Sequence, residues 1–147
     1  MTAPGRVLAL DWGERRLGAA VSDETRTLAT PLATLSARDP EALRGALDRL
    51  IQAWKPAEIV VGWPRRLDGS PGTHAGRVEA FATDLRTRLG IPVHLADEAL
   101  TTEEAYTRLA EAGAGRRKRL AMADRAAAAV LLQDWLDARR AGAGREA

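Results

Sequence analysis

The chain has 147 residues, of which 46% are hydrophobic, so it has enough apolar sequence for one folded domain and is not intrinsically disordered. The absence of cysteine excludes disulfides and thiolate metal sites, and two histidines are too few for a histidine zinc site. No apolar run reaches the roughly 18 residues of a membrane span, and the N-terminal residues lack the apolar stretch of a secretion signal. We therefore expect a cytoplasmic protein without membrane contact, with one domain over residues 1–140 and a flexible tail over residues 141–147.

Arginine dominates the positive charge. The net charge is only +2, but of 22 basic residues 20 are arginine. Its planar guanidinium suits bidentate contact with phosphate, although a GC-rich coding bias would produce the same total. Several basic residues are clustered in three predicted loops. These clusters form one phosphate-binding surface if the fold brings the loops together, and otherwise they are solvated loop residues. The clustered residues are Arg15 and Arg16, Arg65 and Arg66, and Arg116, Arg117, Lys118 and Arg119.

Three strands are predicted at the start of the chain. They cover Val7–Asp11, Leu17–Ser22 and Leu28–Leu35, and the short turns between them favour an antiparallel meander. Pro31 lies inside the third strand and has no N–H to donate, which predicts an edge strand or a bulge.

Helices and strands alternate in the rest of the chain. Asp39 is predicted to cap a helix that begins at Pro40, and Pro56 follows the end of that helix. The later elements are a strand over 58–62, a helix over 74–89, a strand at 93–96, and helices over 101–112 and 120–140. This order predicts an α/β fold with a mixed five-stranded sheet and helices packed on its faces.

Three carboxylates stand out because of their positions. Asp11 ends a buried strand, and Glu98 follows the fifth strand beside Asp97. Asp124 lies on the apolar face of the last helix, because Ala128 and Leu131 follow it at helical spacing. Burying an unpartnered carboxylate costs several kcal/mol, so these positions require an explanation.

Each acid has an ordinary structural explanation when taken alone. Asp11 could cap a turn at Gly13, Glu98 could stabilise the start of the next helix, and Asp124 could pair with an arginine. Together they fit a site at the carboxyl edge of a parallel strand pair, where a divalent cation would relieve their repulsion. Oxygen ligands without cysteine favour Mg²⁺ or Mn²⁺, and two ions about 3.5–4 Å apart would serve phosphodiester hydrolysis.

Four segments, in this order, resemble the YqgF (RuvX) family, which is associated with Holliday-junction resolution and pre-16S rRNA processing: LALDWGERRLGAAVSD, VVGWPRRLDGSPG, DEALTTEEA and MADRAAAAVLLQDWL. The resemblance implies a ribonuclease H-like fold with strand order 3-2-1-4-5, divalent-metal dependence and a nucleic-acid substrate. It also implies that Asp11, Glu98 and Asp124 are the catalytic and metal-binding residues. In that order the fourth strand separates Asp11 from Glu98, and Asp97 has the shorter side chain of the two acids.

One position departs from the family pattern. The family usually has Asp-Glu-Arg before Leu-Thr-Thr, whereas this chain has Ala99 as the third residue.

The favoured hypothesis is a metal-dependent endonuclease that acts on branched DNA or structured RNA, and a two-fold symmetric junction would favour a homodimer. The alternative, supported by Ala99, is a nucleic-acid-binding module that retains the nuclease fold without hydrolysis. A third hypothesis, an actin-like phosphate loop in DWGERRLG, ranks last because those ATPases need two such domains.

Overall fold

The computed structural model describes residues 5–12, 15–64, 75–98 and 116–146. Within these ranges, no helix combines the length and the apolar character that a membrane span requires. The elements in chain order are β1 (Val7–Trp12), β2 (Arg16–Ser22), β3 (Ala29–Ser36), α1 (Pro40–Trp54), β4 (Glu58–Pro64), α2 (Ala75–Leu89), β5 (Val93–Glu98) and α3 (Arg116–Glu146).

The five strands form one mixed sheet in the order β3-β2-β1-β4-β5, as predicted. β2 is antiparallel to both β1 and β3, whereas β4 is parallel to both β1 and β5. β1 is therefore the central strand, and its residues from Val7 to Leu10 have no exposed surface. The edge strands are β3 and β5. Because β1, β4 and β5 run parallel to one another, their carboxyl ends lie at the same edge of the sheet.

Pro31 lies at a bulge in an edge strand. Ala19 of β2 pairs with Ala33, but the next residue, Ala20, pairs with Pro31, so Leu32 is an extra residue on β3. Both predicted explanations of this proline are confirmed. A residue on an edge strand or at a bulge need not donate an N–H to a neighbouring strand, so proline is tolerated there.

Helices cover both faces of the sheet. On one face, Leu8 and Leu10 pack in a cluster with residues of α1 and α2. On the other face, Val7 and Ala9 pack in a second cluster with residues of α3. The alternation of β1 side chains between the two clusters explains why its sequence is a continuous apolar run rather than an alternating one.

The predicted start of α1 is confirmed. Asp39 has extended backbone angles, and its carboxylate accepts a hydrogen bond from the Glu41 N–H at 3.1 Å, while Pro40 occupies the first turn. At the other end, Lys55 adopts the left-handed conformation with φ of 46°, and its N–H donates to the Ile51 carbonyl at 2.7 Å. The helix therefore ends at Trp54, and its C-cap Lys55 directly precedes Pro56.

Four predicted boundaries were wrong by two residues or more. β4 continues two residues beyond the predicted end, to Pro64. β5 continues through Asp97 and Glu98, because its ladder with β4 extends to the pair Pro64–Glu98. α3 begins at Arg116 rather than at residue 120, so the basic run at 116–119 is helical and not a loop, which agrees with the high helix propensity of arginine and lysine. α3 also continues to Glu146, so residues 141–146 of the predicted tail are helical.

The helix predicted over 101–112 lies outside the described residues, and the division into one domain and a flexible tail stays a prediction.

Gln133 of α3 fastens the start of the edge strand β3 to the rest of the domain. Its amide oxygen accepts a hydrogen bond from the Ala29 N–H at 2.9 Å, and its amide nitrogen donates to the Thr27 carbonyl at 3.0 Å. This pair of bonds reproduces the pattern by which a neighbouring strand would bind residues 27 and 29. The side chain thus substitutes for the strand partner that the sheet edge lacks.

The Asp23 carboxylate organises the turn between β2 and β3. It accepts hydrogen bonds from the N–H groups of Thr27 at 2.7 Å and Leu28 at 3.0 Å, and a short one from the Thr25 hydroxyl. These bonds lower the pKa of Asp23 from 3.8 to about 2, with the Leu28 N–H as the largest cause. Arg26, in the same turn, has a positive φ of 60°.

Replacing Gln133 with alanine should lower the free energy of unfolding by about 1–2 kcal/mol, because both strand-like hydrogen bonds are lost. Urea unfolding measures the change, and amide hydrogen exchange at Ala29 should accelerate. Asp134→Ala, at an exposed neighbouring position on the same helix, should shift the free energy by less than about 0.5 kcal/mol. Equal effects of the two substitutions would contradict the role given to Gln133.

The Asp23 contribution to stability should disappear in acid. The folded pKa of about 2 lies below the unfolded value of 3.8, so the contribution is present above about pH 4 and is lost as the pH falls through 2. Asp23→Asn should therefore be less stable than the wild type at pH 6, and the difference should disappear below about pH 2, as measured by chemical denaturation. A difference that persists unchanged at low pH would contradict this assignment, and Glu24→Gln provides a matched control in the same turn.

Candidate active site

Asp11 lies at the carboxyl end of the central strand and is only 6% exposed. It pairs with Gly18 of β2 on one side and with Gly62 of β4 on the other. Since Val7 and Ala9 of the same strand pack on the α3 face, strand alternation puts Asp11 on that face as well. The described structure thus contains a buried carboxylate at the sheet edge where the carboxyl ends of β1, β4 and β5 meet.

The residues level with Asp11 across the sheet are small. Gly18 pairs with Thr34 of β3, and Gly62 pairs with Ala96 of β5. Neither residue paired directly with Asp11 therefore has a side chain, and a larger residue at position 18 or 62 would stand directly next to its carboxylate. Gly18 falls within the predicted second strand, but its position beside Asp11 was not predicted. Its signal is the hairpin register, which pairs residues 11 and 18 across the β1–β2 turn.

The backbones of the other two predicted acids are described, but their side chains are not. Glu98 is the last residue of β5, two residues beyond Ala96 and opposite Pro64. His94 and Ala96 contact residues of the α3 face, so strand alternation puts position 98 on the same face as Asp11 and position 97 on the opposite face. Asp124 lies in α3, one helical turn before the buried Ala128.

Among the side chains that the structure describes, no three metal-ligating residues form a cluster. Only Asp11 of the three predicted ligands belongs to that set, so the carboxylate triad stays a prediction. Ala99 lies outside the described residues.

The predicted basic residues fall into three groups. Arg15 is exposed just before β2, and Arg16 is the first residue of β2, so both lie at the edge where β1 ends. Arg116, Arg117, Lys118 and Arg119 form the first turn of α3, while Arg65 and Arg66 lie outside the described residues.

The direction of α3 relates its basic first turn to the sheet. Arg139, late in the helix, contacts Glu58 at the edge where β4 begins. Ala128, eleven residues earlier, packs in a cluster with Ala9 and Ala20, nearer the middle of the sheet. The N-terminal part of α3 therefore lies nearer than its C-terminal part to the edge of the sheet that holds Asp11.

This strand order, with an acid at the end of the central strand and helices on both faces, defines the ribonuclease H-like class of α/β proteins. Thermus thermophilus RuvC in complex with a Holliday junction substrate superimposes with a TM-score of 0.51 and 20% identity, covering 92% of this chain and 96% of RuvC. Fowlpox virus resolvase in complex with Holliday junction DNA gives a TM-score of 0.52 at 8% identity, covering 90% and 97% of the two chains. At these identities the likeness concerns the fold alone.

The chain belongs to the RuvX family, described as Holliday junction resolvase, whose sequence pattern matches residues 5–138. A relative from Anaeromyxobacter sp. (strain Fw109-5), named "Putative pre-16S rRNA nuclease", is 41% identical over 136 residues, which cover 92% of this chain and 99% of the relative. A relative of the same name from Chloroflexus aurantiacus (strain ATCC 29366 / DSM 635 / J-10-fl) is 41% identical over 139 residues, or 95% and 91% of the two chains. The protein is thus a member of a nuclease family, as the sequence segments indicated.

Proposed function

We propose that this protein is a divalent-metal-dependent endonuclease that hydrolyses phosphodiester bonds in structured nucleic acid. The substrate would be a Holliday junction or other branched DNA, the 5′ region of precursor 16S rRNA, or both. The observation that carries the proposal is the buried carboxylate of Asp11 at the carboxyl edge of a ribonuclease H-like sheet, between two glycines. The absence of cysteine supports a cytoplasmic location.

The surroundings of Asp11 suit a hard divalent cation. A carboxylate supplies the oxygen ligand that Mg²⁺ and Mn²⁺ prefer, and the glycines at 18 and 62 add no side chain that would compete for the position beside it. A bound ion would lower the pKa of a water ligand and neutralise the charge that develops on the phosphate. Asp11, Glu98 and Asp124 are the residues proposed to hold it.

Strand geometry supports a site shared by Asp11 and Glu98. β1 and β5 are two strand spacings apart, about 10 Å, and Glu98 lies two residues beyond the level of Asp11, about 6.6 Å along the strand. The two backbones are then about 12 Å apart, of which two metal–oxygen bonds take up about 4 Å. An aspartate and a glutamate side chain are together long enough to cross the remainder, and the alternation of β5 favours Glu98 over Asp97 for this role.

Helix geometry supports the contribution of Asp124. Four helical residues rise about 6 Å, which nearly equals the rise of two strand residues. Because Ala128 packs in one cluster with Ala9, a step of four residues toward the start of α3 corresponds to a step of two residues from Ala9 to Asp11. The match supports a position for Asp124 near the Asp11 carboxylate.

The basic first turn of α3 supports binding to a polyanion. Cations near a helix N-terminus oppose the helix dipole, at roughly 0.3–1 kcal/mol each, and α3 has no acidic residue in its first turn to compensate. A nucleic-acid backbone would supply the missing negative charge. We assign this role to residues 116–119, together with Arg15, Arg16, Arg65 and Arg66 near the end of β1 and after β4.

A second candidate function follows from Ala99. A protein that had lost a phosphate-contacting or Glu-orienting arginine at this position would bind nucleic acid without cutting it. Such a module would bind equally well without a divalent metal and with Asp11 replaced. A homodimer would suit a two-fold symmetric junction, and sedimentation with and without junction DNA would detect it.

Cleavage should depend on Asp11 and Asp124. With Mg²⁺ or Mn²⁺, the wild type should cut at least one of three substrates: a four-way DNA junction, a DNA flap, or a precursor 16S rRNA fragment. Asp11→Asn and Asp124→Asn should each reduce the cleavage rate at least about 100-fold, because a lost metal ligand costs more than the outer-shell changes that cost 10–100-fold. Asp134→Asn, at an exposed position on α3, is the matched control and should cut normally.

Cutting by both variants at the wild-type rate would contradict the site assignment. Metal-independent binding without cleavage of any of the three substrates would favour the binding module.

Metal binding should be visible without any substrate. Saturating Mn²⁺ at about 100 times the dissociation constant should stabilise the folded protein by about 2.7 kcal/mol, which appears as a higher melting temperature in differential scanning fluorimetry. Asp11→Asn should lose most of this increase, whereas Asp134→Asn should retain it. An equal Mn²⁺ effect on all three proteins would rule out Asp11 as a ligand.

A further inference from the structure

A charged cluster lies at the edge of the sheet opposite the end of β1, on the face that α3 covers. We call it the Arg139 cluster; its members are Arg26, Glu58, His94, Trp135 and Arg139. They come from four elements: the β2–β3 turn, the first residue of β4, the start of β5, and α3. The proposed catalytic role involves none of them, and only Trp135 lies within one of the four sequence segments that resemble the family.

Cations outnumber the carboxylate in this cluster. Glu58 accepts a hydrogen bond from Arg26 at 3.1 Å, so this pair is the direct ion pair. Arg139 and His94 lie farther from the same Glu58 oxygen, at 3.7 Å and 3.8 Å. One carboxylate thus faces two guanidinium groups and an imidazole, which leaves an excess of positive charge at the surface.

The guanidinium of Arg139 is held in place by aromatic rings. It stacks over the Trp135 ring at 4.2 Å, and its Nη2 lies 3.3 Å from the His94 Nε2. The His94 and Trp135 rings are themselves 5.3 Å apart. A guanidinium that lies over a ring face can still donate hydrogen bonds from its edge. The Arg139 side chain is 48% exposed, so it presents an ordered cation to solvent.

The cluster is close enough to Asp11 to contact the same nucleic acid. Glu58, which Arg139 contacts, pairs with Val7, four residues before Asp11, so the backbones of Glu58 and Asp11 are about 14 Å apart. Arg139 itself follows Asp124 by 15 residues of α3, a rise of about 22 Å. At about 3.4 Å per nucleotide in a duplex strand, these spans correspond to about four to seven nucleotides.

We propose that the Arg139 cluster binds the sugar–phosphate backbone of the nucleic-acid substrate, about four to seven nucleotides from the bond that is cut near Asp11. This inference rests on the proposed function, since it adds a second contact to the same substrate. Arg139 donates to a phosphate, Trp135 orients Arg139, and Glu58 holds Arg26 while competing with the phosphate for Arg139.

The test is nucleic-acid binding without cleavage, measured with EDTA by fluorescence anisotropy on the four-way junction and the precursor rRNA fragment. Across about 50–200 mM KCl, Arg139→Ala should weaken binding about threefold to tenfold and should lower the salt slope by about one unit. Arg44→Ala, which removes an exposed arginine from α1 on the other side of the sheet, should change neither quantity. Arg139→Lys should keep the salt slope, because it keeps the charge.

Glu58→Gln separates a binding role from a purely structural one. If Arg139 serves only as an ion-pair partner of Glu58, the substitution lowers the melting temperature and leaves nucleic-acid binding at its wild-type strength. If the cluster binds phosphate, removing the competing carboxylate should tighten binding about threefold to tenfold, opposite in sign to Arg139→Ala.

An Arg139→Ala protein that melts like the wild type and binds both nucleic acids with unchanged affinity and salt slope would overturn the inference. Cleavage that still depends on Asp11 in that protein would leave the proposed function standing. Conversely, a wild type that binds neither nucleic acid would overturn both, so the two failures are distinguishable.

Discussion

The position of Asp11 in the central strand is the constraint on which the arrangement depends. β1 pairs antiparallel with β2 and parallel with β4, and apolar clusters cover both of its faces, so its residues from Val7 to Asp11 are buried. An acid at its end is costly unless its charge is compensated, and an apolar residue there would serve the core better. The pairing also puts a glycine on each side of the acid. The same hydrogen bonds that build the sheet therefore hold a carboxylate at a defined position between two glycines.

The two faces of the sheet differ in what they do. The face under α1 and α2 is closed by apolar packing and by Arg88, which bridges Asp48 of α1 at 2.8 Å and Asp84 of α2 at 2.9 Å. Their hydrogen bonds, that of Asp48 first, raise the pKa of Arg88 above its usual value. The face under α3 carries Asp11, the Arg139 cluster and the basic first turn of the helix. One face thus stabilises the domain, and the other concentrates the charged groups from which a function can be argued.

Strong local signals were sufficient for most elements. The apolar run of β1, the Asp39–Pro40 helix start and the proline in β3 each predicted the local structure correctly, because capping and proline geometry act within a few residues. The strand order was available only through the family resemblance, and it agrees with the structure. The errors were at boundaries. β5 extends through Asp97 and Glu98 because a neighbouring strand continues to pair with it, and the basic run before residue 120 is helical because charge alone does not make a loop.

The sequence by itself determined the class of fold, the family and the choice of Asp11 as the acid that needs an explanation, since burial patterns and motif order are properties of the chain. Tertiary structure decided which residues become neighbours. Gly18 flanks Asp11 because a hairpin register pairs them, and position 98 rather than 97 shares the face of Asp11 because strand side chains alternate. The Arg139 cluster joins residues as far apart as 26 and 139, and no local pattern marks it. Such contacts arise only when strands pair and a helix packs across them, so spacing along the chain does not encode them.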